Sequence, residues 1–239
     1  MAEQENSKDL ISVLWSGADI LRSKMDANEY KDYLLGIVFY KYLSDSFIIK
    51  VYDLIYDEKP DSLKVALDAY KEALEDESAE ELKEEIYSQC HYVIEPELTY
   101  TCFAESSRNN SFNREQLQKA FNNIEQSDPL FADLFTDIDL YSNRLGTGDQ
   151  KQSDTISSLI KEIDKADLLN SDADVLGNAY EYLIGQFASE TGKKAGEFYT
   201  PQSVSKILTE IAIAGQEDKK GLSVYDPCMG WMALKLHMW

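Results

Sequence analysis

The chain has 239 residues and a formal net charge of −21, from 44 acidic and 23 basic residues. Hydrophobic residues make up 44% of it, including 15 tyrosines and 9 phenylalanines, so we expect a large folded core and exclude general disorder. The excess of negative charge argues against a protein that binds nucleic acid by itself, because phosphate contact requires basic surfaces.

The first residues form no apolar signal segment, and no apolar run approaches the ~20 residues of a membrane span. The sequence therefore predicts a cytoplasmic protein without a membrane partner. The three cysteines, Cys90, Cys102 and Cys228, have unrelated spacings and predict neither a disulfide framework nor a zinc site. We interpret the adjacent Cys90 and His91 as an incidental pair, because no second pair of metal ligands follows.

Two long helices are predicted at the start of the chain. Apolar residues recur at intervals of three or four from Ile11 to Met25, which places them on one face of a first helix. Asp26 to Glu29 fits a capping box. The second helix is then predicted to continue without proline to Asp57, with Gly36 as its weak point.

The region from Asp53 to Glu97 contains fifteen acidic residues and four lysines. Leu63 to Leu74 predicts a third helix, and Leu82 with Ile86 gives a thinner apolar stripe inside the acidic stretch. We interpret the acidic residues as a solvated helical face, with a docking surface for a basic partner as the alternative.

Residues 92–103 have a different composition. Tyr92 to Ile94 and Leu98 to Phe103 are rich in β-branched and aromatic residues around Pro96, which favours a small irregular hairpin or extended excursion.

Further helices are predicted in the second half of the chain. Asn113 is a suitable cap for one that carries Leu117 to Ile124, another carries Ile156 to Ile163, and a third runs from Leu176 to Ile184. The sequence therefore predicts a mostly α protein, with a helical N-terminal domain over residues 1–170 and a second domain over residues 171–239.

The second domain contains the most informative motif, the run Gly-Glu-Phe-Tyr-Thr-Pro-Gln over residues 196–202. Thr200 is a good helix cap, and Pro201 suits the first helical position. The predicted helix extends to about Ala214, and residues 222–225 predict a short buried strand that ends at Asp226-Pro227. The alternative for the motif is an aromatic helix entry that only packs on the core.

This order of loop, helix, strand and Asp-Pro-x-x-Gly resembles the modification (M) subunit of bacterial type I restriction-modification systems. Shorter strings support the resemblance over nearly the whole chain. They are Leu14-Trp15, Asp19 to Arg22, Met25 to Ala27, Glu29 to Lys31, Lys41 to Asp45, Val175 to Gly177 and Tyr180 to Ile184.

The resemblance implies a DNA adenine-N6 methyltransferase subunit that uses S-adenosylmethionine. It also implies that residues 171–239 form a connecting helix, a donor-binding loop and the first helix and strand of an incomplete α/β (Rossmann-like) methyltransferase domain. The partners implied are a specificity subunit, a restriction subunit and a second M subunit, with DNA bound through the assembly. The implied donor-binding residues are Glu197, Phe198, Tyr199, Thr200, Pro201, Gln202, Asp226 and Gly230.

Two departures from the family pattern bear on activity. Trp231 and Met232 stand where the family has Ser and Gly, so a bulky side chain occupies the place where backbone meets the donor. None of the five prolines is adjacent to another, so the family's Asn-Pro-Pro-aromatic motif, which holds the flipped adenine, is missing. We therefore expect a truncated chain without catalytic residues. The alternative function is a helical interaction module that docks on specificity or restriction subunits.

Overall fold

The computed structural model describes residues 2–168 and 202–215, and the chain divides into two compact units, Met1–Tyr180 and Glu181–Trp239. The described residues are mostly helical and contain no β-strand, which confirms the predicted mostly α class. The domain boundary predicted at residue 170 and the strand predicted at 222–225 lie outside them. The helices are α1 (Ala2–Arg22), α2 (Ala27–Tyr56), α3 (Leu63–Ala73), α4 (Ala79–Cys90), α5 (Tyr100–Arg108), α6 (Arg114–Ser127), α7 (Asp149–Ile163) and α8 (Gln202–Ile213), with 3₁₀ turns at Pro96–Leu98 and Pro129–Phe131.

Helix α1 packs against both α2 and α7. Its buried face carries Leu14, Ala18 and Leu21, as the sequence predicted. Gly17 allows the close approach of the three helices, because a Cβ there would lie 2.9 Å from Leu34 Cδ1 and 3.1 Å from Leu159 Cδ1. The helix therefore uses its smallest residue where the packing is tightest.

Helix α2 has 30 residues, which makes it about 45 Å long. It contacts α1, α3, α5 and α7, and residues along its length are fully buried, among them Leu34, Phe47 and Val51. The predicted helix is confirmed, and it continues without interruption through Gly36. A Cβ at Gly36 would lie 2.0 Å from Ile138 Cδ1, so the glycine accommodates the segment that precedes α7.

Buried tyrosines attach the non-helical stretch between α4 and α5 to the core. Tyr40 of α2 donates a hydrogen bond to the carbonyl of Leu98 at 2.7 Å, and Tyr70 of α3 donates to that of Ile94 at 3.2 Å. Burial raises the pKa of both phenols well above its usual value. Hydrogen bonds of this kind satisfy backbone groups that have no helical partner.

The excursion predicted at residues 92–103 is wrong in its second half. Residues 92–95 form no helix and Glu95 has an extended backbone, but Pro96–Leu98 forms a 3₁₀ turn and α5 begins at Tyr100. Thr99 caps α5 by accepting a hydrogen bond from the amide of Cys102 at 3.5 Å. The β-branched and aromatic side chains here are buried by tertiary packing, which overrides their weak preference for strands.

The other helices of the first unit follow the predictions from apolar spacing. Ser62 caps α3 through its side chain, and Asn113 caps α6 by accepting from the amide of Glu115 at 2.8 Å. Helix α7 buries Ile156, Ile160 and a third isoleucine, Ile163. Together with α2 and α7, these helices form the hydrophobic core of the unit.

Candidate functional site

Most of the predicted donor-binding residues fall outside the part of the chain that the structure describes. This applies to Glu197, Phe198, Tyr199, Thr200 and Pro201, and also to Asp226 and Gly230. Gln202, the last residue of the motif, is the first residue of α8. The helix was predicted from Pro201 to about Ala214; its end at Ile213 agrees with this, whereas the predicted cap Thr200 and the predicted first position Pro201 lie outside the described residues.

Helix α8 presents an apolar stripe on its surface. Val204, Ile207, Leu208 and Ile211 are 44–68% exposed, and their spacing of three, one and three places them on one face. Thr209, by contrast, is buried. The apolar face of α8 is therefore exposed over these four side chains.

A buried ion pair lies in the string Lys41 to Asp45. Lys41 Nζ is 2.6 Å from Asp45 Oδ2, and both side chains are almost fully buried. The ammonium of Lys41 also lies 5.0 Å from the centre of the Tyr100 ring, a cation–π distance. Burial, with smaller contributions from Asp164 and Asp167, raises the pKa of Asp45 to about 6 despite the neighbouring lysine.

A second buried polar group, Arg114 at the start of α6, joins three segments. Its guanidinium donates to the carbonyl of Leu140 at 3.3 Å, to Asp149 Oδ1 at 3.0 Å and to the side chain of Gln152, and it stacks over the ring of Tyr141 at 4.2 Å. This arrangement fixes the segment before α7 against α6. We interpret the Arg114 contacts as structural, because each of them is made to another part of the same unit.

The burial of the Lys41–Asp45 pair and of Arg114 was not predicted from the sequence. A signal existed for Lys41 and Asp45, because they are charged residues four apart in an otherwise apolar helix. No comparable signal marked Arg114, which follows a good cap and resembles an ordinary exposed residue at a helix start.

The acidic stretch is solvated, as the first interpretation proposed. Glu80, Glu81, Glu84 and Glu85 of α4 are all exposed, and one described ion pair on that helix joins Lys83 to Glu80 at 3.1 Å. Its use as a docking surface for a basic partner stays a prediction.

The adjacent Cys90 and His91 have separate surroundings. His91 directly follows α4, and its Nδ1 lies 3.4 Å from Asp128 Oδ2. Cys90 is a free thiol. In residues 2–168 and 202–215, no three His, Cys, Asp or Glu residues are arranged to hold a metal ion. A search of the same residues finds no helix long and apolar enough for a membrane span.

Comparison with known proteins assigns both parts of the chain. Residues 10–163 match the family described as HsdM N-terminal domain, and residues 171–237 match the family described as N-6 DNA Methylase. A helical N-terminal domain followed by a segment that matches DNA methylases is the organisation of a DNA methyltransferase subunit.

Individual relatives narrow this class. The chain is 30% identical to the type I restriction enzyme MpnII methylase subunit of Mycoplasma pneumoniae, over 99% of this chain and 44% of that protein. It is 26% identical to the MjaIX methylase subunit of Methanocaldococcus jannaschii, over 91% and 37%. The fold matches the crystal structure of the type I restriction-modification methyltransferase subunit from Streptococcus thermophilus with a TM-score of 0.88 and 50% identity, over 96% of this chain and 49% of that one.

The chain therefore belongs to the methyltransferase (M) subunits of type I restriction-modification systems. It spans less than half the length of each of these three relatives.

Proposed function

We propose that the chain is the N-terminal portion of a cytoplasmic DNA adenine-N6 methyltransferase subunit, and that its second domain contributes to a site for S-adenosylmethionine. The observation that carries the proposal is the match of residues 171–237 to the N-6 DNA Methylase family. That range contains all eight candidate donor-binding residues, and it directly follows the match of the helical domain. The second domain is accordingly proposed to have the incomplete α/β, Rossmann-like fold.

The start of α8 supports the placement of the donor loop. A helix N-terminus offers unpaired amide groups, and Gln202 begins the helix directly after Tyr199, Thr200 and Pro201. In the proposed site the loop covers the donor, and the Asp226-to-Gly230 turn approaches it from the end of the predicted strand. Gly230 is essential to this arrangement because a side chain would fill the space of the donor.

We further propose that these 239 residues by themselves do not transfer the methyl group. Adenine N6 chemistry requires the target base to be flipped out, stacked and hydrogen-bonded through its amine. The chain has no two adjacent prolines, so it has no Asn-Pro-Pro-aromatic motif for that purpose. Trp231 and Met232 should also weaken donor binding, because they replace the small residues of the family's glycine-rich turn.

Calorimetric titration with S-adenosylmethionine tests the donor site. We expect weak binding by the unchanged chain, and binding at least about tenfold tighter after Trp231→Ser with Met232→Gly, because the double change restores space at the turn. Adding Tyr199→Ala to that variant should reverse the gain. Leu130→Ala, at an exposed position of the helical unit, is the matched control and should leave donor affinity unchanged.

Two results would contradict the proposal. One is a restored turn that binds the donor no more tightly than the unchanged chain. The other is a Tyr199→Ala variant that binds as well as its parent. A radiolabelled-donor assay on unmethylated DNA tests the catalytic part, and transfer of label by the 239-residue chain alone would show that its own residues suffice.

The partners proposed are a specificity subunit, a restriction subunit and a second M subunit, with DNA held by the assembly. This proposal accounts for the net charge of −21, since most phosphate contacts then come from other components.

The alternative function is a helical interaction module that docks on those subunits without chemistry. It is favoured by the helical unit, which has its own core around α2 and α7. Gel filtration with a cognate specificity subunit distinguishes the two. Co-elution without donor binding by the restored turn supports the module alone, whereas donor binding by the restored turn supports the methyltransferase origin of the site.

A further inference from the structure

Three large apolar side chains are exposed where the end of α4 meets the segment that follows α6. Tyr87 is 44% exposed, Leu130 78% and Leu134 37%. They are three of the six large hydrophobic side chains that are exposed among the described residues of the helical unit. Single exposed leucines are ordinary, but a group of exposed apolar side chains in one region is typical of a docking surface.

Two polar contacts bring the end of α4 beside the turn that carries Leu130. Tyr87 donates a hydrogen bond to the carbonyl of Ser127 at 3.0 Å. His91, directly after α4, has its Nδ1 3.4 Å from Asp128 Oδ2. Tyr87 and Leu130 therefore belong to one region of the surface.

The backbone of Leu130 is fixed, although its side chain is in solvent. Asp128 Oδ1 accepts a hydrogen bond from the amide of Leu130 at 2.9 Å, and Pro129 restricts the backbone at the start of the 3₁₀ turn. The next residue, Phe131, packs edge-on against Tyr92 with a ring-centre distance of 5.4 Å. A leucine held in this way loses little conformational entropy when a partner covers it.

The side of α4 that carries Tyr87 forms a straight stripe. Its exposed residues are spaced four, three and four apart: Glu80, Glu84, Tyr87 and His91. This spacing places them on one face of the helix, which is about 16 Å long over these residues. We call this stripe together with Leu130 the Leu130 surface. It combines carboxylates at one end with apolar side chains at the other.

The charge of the region is strongly negative. Helix α4 and residues 121–137 contain eight carboxylates and one basic residue other than histidine, Lys83, which pairs with Glu80 at 3.1 Å. No ion pair within the described part of the chain involves Glu81, Glu84 or Glu85. A complementary partner is therefore basic. Nucleic acid is excluded as the partner, because its phosphates are repelled by these carboxylates.

We propose that the Leu130 surface binds a basic amphipathic helix of a protein partner. A large apolar side chain of that helix covers Leu130 and Tyr87, and its lysines or arginines face Glu80 and Glu84. A straight stripe along α4 suits a helical partner, whose own side chains recur at intervals of three and four. The proposal does not depend on the donor site or on the proposed methyltransferase function.

Fluorescence anisotropy with labelled peptides and the 239-residue chain tests the chemistry of the partner. The probes are a helical lysine–leucine peptide, the same peptide with glutamine for leucine, and the same peptide with glutamate for lysine. We expect saturable binding of the first and binding at least about tenfold weaker for the other two, because apolar burial or charge attraction is lost. No saturable binding of the lysine–leucine peptide, or equal binding of either other peptide, would overturn the proposal.

Leu130→Ala tests the apolar part of the surface. It should weaken binding of the lysine–leucine peptide by about tenfold, because less apolar area is buried. Val65→Ala is the control, since Val65 is 43% exposed on α3 and also carries no charge. It should leave the affinity unchanged. Equal affinities of the two variants would overturn the assignment of Leu130.

Glu84→Gln tests the charged part and should weaken binding by about threefold. Glu115→Gln is the control, because Glu115 is exposed in the first turn of α6 and its loss changes the net charge equally. An equal effect of the two changes would show attraction by net charge alone and would overturn the site.

Sedimentation velocity tests a second copy of the chain as the occupant. We expect no self-association through this surface, since the copies repel each other with a net charge of −21. Self-association that Leu130→Ala abolishes would overturn the assignment to a basic partner.

Discussion

Gly36 and Ile138 are in such close contact that a single methyl group at Gly36 has no room. A Cβ at that position would lie 2.0 Å from Ile138 Cδ1 and 3.2 Å from its Cγ1. Ile138 belongs to the segment between α6 and α7, which also places Phe135 on Phe121 with a ring-centre distance of 4.2 Å. Gly36, in the first half of α2, therefore allows the segment between α6 and α7 to pack closely against this helix.

Gly36→Ala should lower the free energy of unfolding by about 1–3 kcal/mol, because overpacking exceeds the gain in helix propensity. Urea unfolding followed by circular dichroism measures the effect. Lys119→Ala on the exposed face of α6 is the control and should change stability by less than about 0.5 kcal/mol. A more stable Gly36→Ala variant would show that Ile138 moves without cost.

Asp45 should give the helical unit a distinct pH dependence. Its pKa is about 6 in the folded protein and 3.8 ordinarily, so between these values the folded state retains a proton that the unfolded state has lost. The stabilisation from this proton is complete below pH 3.8 and is lost as the pH rises through 6. Relative to Asp45→Asn, which cannot titrate, the unchanged chain should lose about 3 kcal/mol of stability over that range.

Urea unfolding of both proteins at several pH values measures this difference. The comparison cancels the titration of ionisable groups that the two proteins share. A stability difference that is constant from pH 3.5 to 7 would contradict the raised pKa of Asp45.

Arg114→Lys should be destabilising by about 2 kcal/mol even though it keeps the positive charge. Arg114 reaches Leu140 and Gln152 from Nη1 and Asp149 from Nη2, an arrangement that the single nitrogen of a lysine does not reproduce, and a lysine also loses the planar stacking on Tyr141. Arg108→Lys is the matched control, because Arg108 is exposed and makes a surface pair with Asp164, a type of contact worth at most about 1 kcal/mol. Equal effects of the two changes would show that the buried network adds nothing to stability.

The apolar stripe of α8 should contribute little to the stability of the chain. Ile211→Ala should change the free energy of unfolding by less than about 0.5 kcal/mol, because Ile211 is exposed. The same substitution at the buried Ile160 of α7 should cost about 2–5 kcal/mol. Thermal unfolding of the two variants provides the comparison, and a large loss for Ile211→Ala would mean that its side chain is buried in solution.

Helix positions were predictable because they rest on local patterns. The apolar spacing that placed Leu14 and Ile160 in helices, and the predicted cap at Asn113, depend on neighbours in sequence alone. The prediction failed after Pro96, where composition favoured an irregular hairpin or extended excursion but Thr99 caps α5. Local preferences there are weak, and burial against α2 decides the outcome.

The sequence motif of the candidate donor site was predictable, but the arrangement of its residues in three dimensions was not. The order of residues 196–230 identified the methyltransferase family, and the family comparisons confirm that membership. The contacts of Glu197, Phe198 and Tyr199 stay a prediction, since they depend on the approach of segments that are distant in sequence.

The sequence by itself determined the helical class, the capped start of α6 at Asn113 and the family, because each depends on residues close together in the chain. Three contacts were decided only by the tertiary structure. Ile138 packs against Gly36, Arg114 links α6 to α7, and Asp45 is buried with Oδ1 unpaired among the described residues. These contacts join residues up to more than a hundred positions apart, and the free energy of burying a charge or a methyl group depends on what surrounds it in three dimensions.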